Sequence, residues 1–280
     1  MRDVQAKRVL WAATITVAVA ITGPGIAQDK PGFRDTPMLP NGKWRVHDAE
    51  RPMPEVIAPG SAPGAAPSDA IVLFNGRSLD AWQSQGIAWT VKDGALTVPP
   101  RPDGANENAL VSKQSFGDVQ FHLEFRSPIS PAESSQDRGN SGIWFMQRYE
   151  IQILDGFRNP TYADGTVGAL YAWKPPLVNA SRPPGDWQSY DIIFERPRFS
   201  AEGILLRPAY TTAFLNGVLV QNRQPWLGST VWRKIAQYEA HGDAAPIQLQ
   251  DHGSPVSFRN IWVRPLPEEA TSRDFQGEVK

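Results

Sequence analysis

Val119-Gln120-Phe121-His122-Leu123-Glu124-Phe125-Arg126 decides the fold, because apolar and polar residues alternate along its whole length. Successive side chains of a strand point to opposite faces, so this pattern packs one face into a core and gives the other to polar surroundings. The alternation returns in Tyr149-Glu150-Ile151-Gln152-Ile153, with Tyr190, Ile192 and Phe194 against Asp191 and Glu195, and in Ile247-Gln248-Leu249-Gln250. Between Ala70 and Leu266 no apolar period of 3.6 residues is sustained. An all-β sandwich of two antiparallel sheets is therefore expected. Asn216-Gly217, between Ala213-Phe214-Leu215 and Val218-Leu219-Val220, is a two-residue hairpin signal, since a type I′ turn needs positive φ at both central positions. In the last strand the apolar set moves from Val256 and Phe258 to Ile261 and Val263, a one-residue slip that predicts a bulge near Arg259-Asn260.

Composition narrows the function. The 280 residues carry 28 basic and 29 acidic side chains, a net charge of -1, which leaves no basic excess for the phosphates of nucleic acid. With no cysteine, a thiolate nucleophile, a disulfide framework, a cysteine zinc site and a lipidated N-terminal cysteine are all excluded. The chain has no Gly-x-Gly-x-x-Gly, no phosphate loop and no Gly-x-Ser-x-Gly elbow. No paired spacing such as His-x-x-x-His points to a metal or other cofactor, although calcium on carboxylates and carbonyls stays open. Chemistry then falls to carboxylates, His, Tyr, Ser or Lys.

Residues 1–27 read as a secretory signal peptide: Arg2, Lys7 and Arg8 precede an apolar run from Val9 to Ile21, and Gly25-Ile26-Ala27 places small residues before a cleavage point after Ala27. The run is shorter than the roughly 20 residues of a transmembrane helix, so no membrane span is expected after cleavage. The expected location is periplasmic or secreted, and the lack of disulfides favours a bacterial periplasm. Residues 28–68 are rich in proline, and Ala58 to Ser68 is almost wholly Ala, Pro, Gly and Ser, a linker composition. Within this part, Lys43-Trp44-Arg45-Val46-His47-Asp48 is richer and suited to lie on a folded surface. The domain is expected over 69–267, followed by a loose polar tail at 268–280.

Ten tryptophans offer flat apolar surfaces for the C–H faces of sugars, and polar strand faces offer hydrogen bonds to hydroxyls. A carbohydrate site on one sheet is one reading; ordinary solvated strand faces over a tryptophan-containing core are the other.

More specific are Ile71-Val72-Leu73-Phe74-Asn75-Gly76 with Leu79 and Trp82, Arg138-Gly139-Asn140-Ser141-Gly142-Ile143, Tyr149-Glu150-Ile151-Gln152-Ile153-Leu154-Asp155, Gly168-Ala169-Leu170-Tyr171, Leu215-Asn216-Gly217, and Ile247-Gln248-Leu249-Gln250-Asp251-His252-Gly253 with Phe258-Arg259-Asn260-Ile261. In this order they resemble the 3-keto-disaccharide hydrolase domain family over about residues 70 to 266. The resemblance implies a concanavalin-like jelly roll and cleavage of glycosides already oxidised to a ketone at sugar carbon 3. It also implies a secreted or periplasmic setting and dependence on a separate sugar 3-dehydrogenase that makes the ketone. Glu150 to Asp155 is also similar to the catalytic strand of concanavalin-like endoglucanases, but Gln152 replaces the central acid and Asp155 shortens the last, against the two-carboxylate geometry of a retaining glycosidase. A non-catalytic, lectin-type carbohydrate-binding module is the main alternative.

A 3-keto sugar needs a base for its acidified carbon-2 hydrogen, a group that stabilises the enolate and a proton donor. Glu150 is the first candidate for base or general acid, His252 for moving the proton, and Asp155 for partner acid, with turn capping as its competing role. Gln152, Glu124, Arg138, Asn140, Tyr171, Trp173, Gln250 and Arg259 are the candidates for holding sugar hydroxyls or stacking on the ring. Arg259 at the bulge can instead orient a carboxylate.

Overall fold

In a computed structural model, residues 31–40, 42–99, 108–130 and 133–267 are described. Among them there is no α-helix, only two single 3-10 turns, and hence no helix long and apolar enough to cross a membrane. The strands are β1 (Ile71–Phe74), β2 (Trp82–Gln85), β3 (Thr90–Lys92), β4 (Ala95–Thr97), β5 (Asn108–Phe116), β6 (Val119–Arg126), β7 (Ser141–Phe145), β8 (Tyr149–Ile153), β9 (Gln188–Glu195), β10 (Arg198–Phe199), β11 (Leu205–Arg207), β12 (Tyr210–Leu215), β13 (Val218–Pro225), β14 (Ala245–Asp251) and β15 (Ser257–Pro265). A larger sheet runs β13-β12-β9-β6-β15-β4-β3, with β1 also paired to β15. A smaller sheet runs β2-β5-β14-β7-β8, and β10 and β11 form a separate ribbon. Every pairing is antiparallel, in keeping with the expected jelly-roll sandwich.

The core lies between the two sheets because the alternating positions send their apolar members inward. Val119, Phe121, Leu123 and Phe125 of β6 are fully buried, as are Tyr149, Ile151 and Ile153 of β8. Phe145 of the smaller sheet stacks on Phe194 of the larger at 4.8 Å and meets Phe121 edge-on at 5.5 Å, so aromatic contacts tie the layers together. Tyr190 of β9 reaches across and donates its hydroxyl to the Gln152 carbonyl at 2.8 Å, which fixes the height of β8. Burial pushes the Tyr190 hydroxyl well above the ordinary phenol range, so it stays protonated and serves as a donor.

The local signals carry through. Asn216 and Gly217 have φ of 53° and 80°, as the hairpin turn requires. The β15–β6 register shifts between Arg259 and Trp262, and Asn260 at the bulge has φ of 48°. The linker-like composition of Ala58 to Ser68 does not leave that stretch free. The Ser68 amide donates to the Ala58 carbonyl at 2.9 Å and closes a loop. The Gly64 carbonyl at its tip accepts from Asn260 Nδ2 at 2.9 Å and from the Trp262 indole at 2.8 Å. Residues 31–54 form a compact unit of their own, with bridges between Phe33 and Asp48 and between Met38 and Arg45. The signal-peptide residues 1–27 and the tail 268–280 lie outside the described residues.

In the smaller sheet β8 is an edge strand. Its outer edge is covered by residues 168–174: Gln152 N donates to the Ala169 carbonyl at 3.0 Å, and Tyr171 N to the Glu150 carbonyl at 3.0 Å. An open edge presents unpaired backbone groups, and this irregular segment satisfies them.

Candidate active site

Because Tyr149, Ile151 and Ile153 face the core, Glu150 and Gln152 point to the outer side of the smaller sheet. Of the two readings of such a face, a ligand site or an ordinary solvated surface, burial disfavours the second, since Glu150 and Gln152 are only 3% and 1% exposed. Surrounding loops wall that face into a cleft of about 1010 Å3. Its floor is Asn140, Trp144, Glu150, Gln152 and Gln250, side chains that the pairing of β7 with β8 and with β14 brings together. Gln136, Tyr162, Asp164, Tyr171 and Ala172 form one wall, Thr230 and Trp232 to Ile235 another, and His252 completes the lining.

Glu150 sits opposite Trp144, and Gly142 opposite Gln152. The absence of a side chain on Gly142 lets the Glu150 carboxyl lie over its Cα. The loop after β13 is tied to the same strand: Glu150 N donates to Thr230 Oγ1 at 3.1 Å, and Thr230 N to the Arg148 carbonyl at 2.7 Å. Gln152 Nε2 donates to Asn140 Oδ1 and to Gln136 Oε1, each at 3.2 Å, while Gln136 is held by Thr161 and the Gly165 carbonyl.

Buried polar atoms are normally paired, and an unpaired one points to something that binds there. On this lining Gln152 Oε1, Gln250 Oε1 and Trp144 Nε1 are buried without a protein partner. Two acceptors and a donor beside a carboxylate suit a ligand rich in hydroxyls. The Tyr171 and Tyr162 hydroxyls are 3.0 Å apart. Burial first, then the Tyr162 hydroxyl and the charges of Glu150 and Asp164, pushes the Tyr171 phenol well above its ordinary range. It therefore holds its proton more firmly than an ordinary phenol and can offer it to a ligand as a hydrogen bond.

Of the residues predicted from sequence, Glu150, Gln152, Asn140, Tyr171, Gln250 and His252 meet in this cleft. Five others do not. Asp155 is 1% exposed, ion-paired with Arg138, and accepts from Phe157 N at 3.0 Å, which makes it and Arg138 supports of the turn behind the cleft rather than parts of its lining. Glu124 and Arg259 form an ion pair with 2.6 Å separation, on the outer face of the larger sheet, the opposite side of the sandwich from Glu150. The Arg259 guanidinium lies 4.1 Å from the Trp187 ring centre. Trp173 packs partly against the core and donates to the Pro225 carbonyl at 2.9 Å.

Sequence reasoning missed Gln136, Trp144, Tyr162, Asp164, Thr230 and the stretch Trp232 to Ile235. Trp144 was within reach, two positions from Gly142 and on the strand before β8; the others lie in loops with no local pattern. Among the described residues no group of three or more His, Cys, Asp or Glu side chains is placed to hold a metal ion.

Comparison with known proteins agrees with this architecture. A crystal structure from Parabacteroides distasonis ATCC 8503, named as a provisional glycosyl hydrolase, is 43% identical with a TM-score of 0.70, over 77% of this chain and 93% of that one. A second structure from the same organism, similarly named, is 20% identical with a TM-score of 0.51 over 71% and 94% of the two chains, a likeness of fold. A protein of Bacteroides thetaiotaomicron named 3-keto-disaccharide hydrolase is 19% identical over 229 residues, covering 70% of this chain and 78% of its own. Residues 69–264, which span both sheets and every wall of the cleft, match the model of the 3-keto-alpha-glucoside-1,2-lyase-like domain, and the chain belongs to that family.

Proposed function

We propose that this protein is a carbohydrate-active enzyme that cleaves the glycosidic bond of 3-keto glycosides by elimination followed by hydration. The observation that carries this reading is the buried Glu150 carboxyl in a cleft whose floor also holds two unpartnered amide oxygens and an unpartnered indole N–H. The family match and the name of the Bacteroides relative support the keto substrate.

In this mechanism Glu150 removes the hydrogen at sugar carbon 2, whose acidity comes from the adjacent ketone. The C–H electron pair becomes the bond between carbons 1 and 2, and the bond from carbon 1 to the aglycone oxygen breaks with its pair on that oxygen. His252, on the same cleft, supplies the aglycone with a proton. Tyr171 donates a hydrogen bond to the keto oxygen, where charge develops, and Gln152, Asn140 and Gln250 hold hydroxyls. Water then adds to carbon 1 of the enone and gives up a proton to His252, which restores the one passed to the aglycone, while Glu150 returns its proton to carbon 2, so the net change is hydrolysis. A separate oxidoreductase makes the ketone, and residues 1–27 direct the protein out of the cytoplasm.

The test is product release from a 3-keto glucoside and from its unoxidised parent. Release from the keto compound only, falling at least a hundred-fold in Glu150→Gln, is the expected result. Cleavage of the unoxidised parent, or full turnover in Glu150→Gln, would overturn the mechanism.

A further inference from the structure

The cleft has two chemically different ends. The floor is carboxylate, amide and indole N–H, whereas the wall from Thr230 to Ile235 bears an aromatic ring, an aliphatic side chain and two cations. Trp232 is 65% exposed and Ile235 is 83% exposed, although both line the cleft. Large apolar side chains held open beside a polar floor mark a binding surface. The loop that carries them is fixed at its base. Ser229 N donates to the Gln237 carbonyl at 3.1 Å, and the bonds of Thr230 tie it to both ends of the Arg148-Tyr149-Glu150 segment. At the tip Arg233 takes a left-handed conformation, φ of 56°, that non-glycine residues seldom adopt. Its guanidinium lies 5.3 Å from the Trp232 ring centre, and Lys234 adds a second positive charge.

From this arrangement we infer that the Thr230–Ile235 loop is an aglycone subsite for a planar aromatic leaving group stacked on Trp232. The inference rests on the glycoside reading above. Hydroxyl donors of the sugar match the unpartnered acceptors Gln152 Oε1 and Gln250 Oε1, which places the sugar on the floor and turns its carbon-1 substituent toward the rim. A flat ring covers an indole face more fully than a puckered hexose does. As the bond from carbon 1 to oxygen breaks, the electron pair departs on the aromatic aglycone as a phenolate, and Arg233 and Lys234 stabilise that charge until it is protonated.

Binding, measured apart from turnover, separates this inference from the reading it rests on. By calorimetry with the whole mature chain, phenyl glucoside is expected to bind about five-fold more tightly than methyl glucoside, and Trp232→Ala is expected to bring that ratio to about one. Trp232→Phe, which keeps a ring, is expected to hold most of the preference. Equal affinities in the wild type, no binding of either glycoside, or a preference that survives Trp232→Ala would overturn the subsite. Intact phenyl preference with no turnover of any 3-keto glucoside would leave the subsite standing and remove the proposed reaction.

Discussion

A Cβ added to Gly142 would stand 2.3 Å from Oε1 of Glu150. The glycine on β7 is thus the seat of the carboxyl on β8, and the atom that must yield is the end of a flexible side chain. Gly142→Ala is therefore expected to displace the carboxylate while the sheet stays paired. Its kcat on a 3-keto glucoside should fall at least ten-fold with little change in the thermal midpoint. Unchanged kcat would show that Glu150 does not act from this position.

Behind the cleft, Asp155 and Arg138 form an ion pair with side-chain exposures of 2% and 19%. Removing one partner of a buried pair leaves the other charge uncompensated, at about 3 kcal/mol. Asp155→Asn is expected to lower the thermal midpoint by about 6–12 °C, with kcat of the folded protein kept within a few fold. A large loss of kcat at unchanged stability would return Asp155 to the chemistry.

His241 lies against the first residue of β8. Its Nδ1 donates to the Gly242 carbonyl at 2.8 Å, and its Nε2 accepts from the Tyr149 hydroxyl at 2.8 Å, a pattern that needs the neutral ring. Burial lowers its pKa below the ordinary 6.5, outweighing the Gly242 carbonyl, which raises it. The unfolded chain then takes up the proton first as the pH drops. This contribution to stability is complete above pH 6.5 and is lost as the pH falls through the depressed folded value. Thermal midpoints measured from about pH 7.5 to 5 should fall more steeply for the wild type than for His241→Gln. Parallel curves would remove His241 as the cause.

Gly64 anchors the proline-rich loop to the larger sheet with φ of +78°, and a Cβ there would lie 3.0 Å from the His122 ring. His122 is itself buried, bonded to Asp191 at 2.7 Å and stacked on Trp262 at 5.3 Å, and cannot easily move. Gly64→Ala is expected to destabilise the domain by about 1–2 kcal/mol in denaturant unfolding. A midpoint and slope equal to wild type would show that the loop is not held there.

The alternation in β6, β8, β9 and β14 disclosed the core-facing set, and the Asn216-Gly217 turn and the slip at Arg259-Asn260 were equally legible, because each depends on neighbours in the chain. A period of two states which residues turn away from the core but not which sheet they leave. That is why Glu124 and Arg259 were grouped with Glu150, although the sandwich separates them. The second wall, Trp232 to Ile235, was hidden for another reason: its position depends on bonds to Arg148 and Glu150 some 80 residues earlier, and no local spacing encodes them.

The segment that shields the backbone of β8 is also the one that brings Tyr171 to the cleft. Solubility and recognition are therefore linked in one short stretch, since a loosened guard exposes a strand ready to pair with another molecule. Random variation of residues 168–174 should yield many variants that precipitate before their selectivity can be measured, whereas on the opposite wall Thr230 holds β8 and the exposed Trp232 and Ile235 are the part of the site free to diversify.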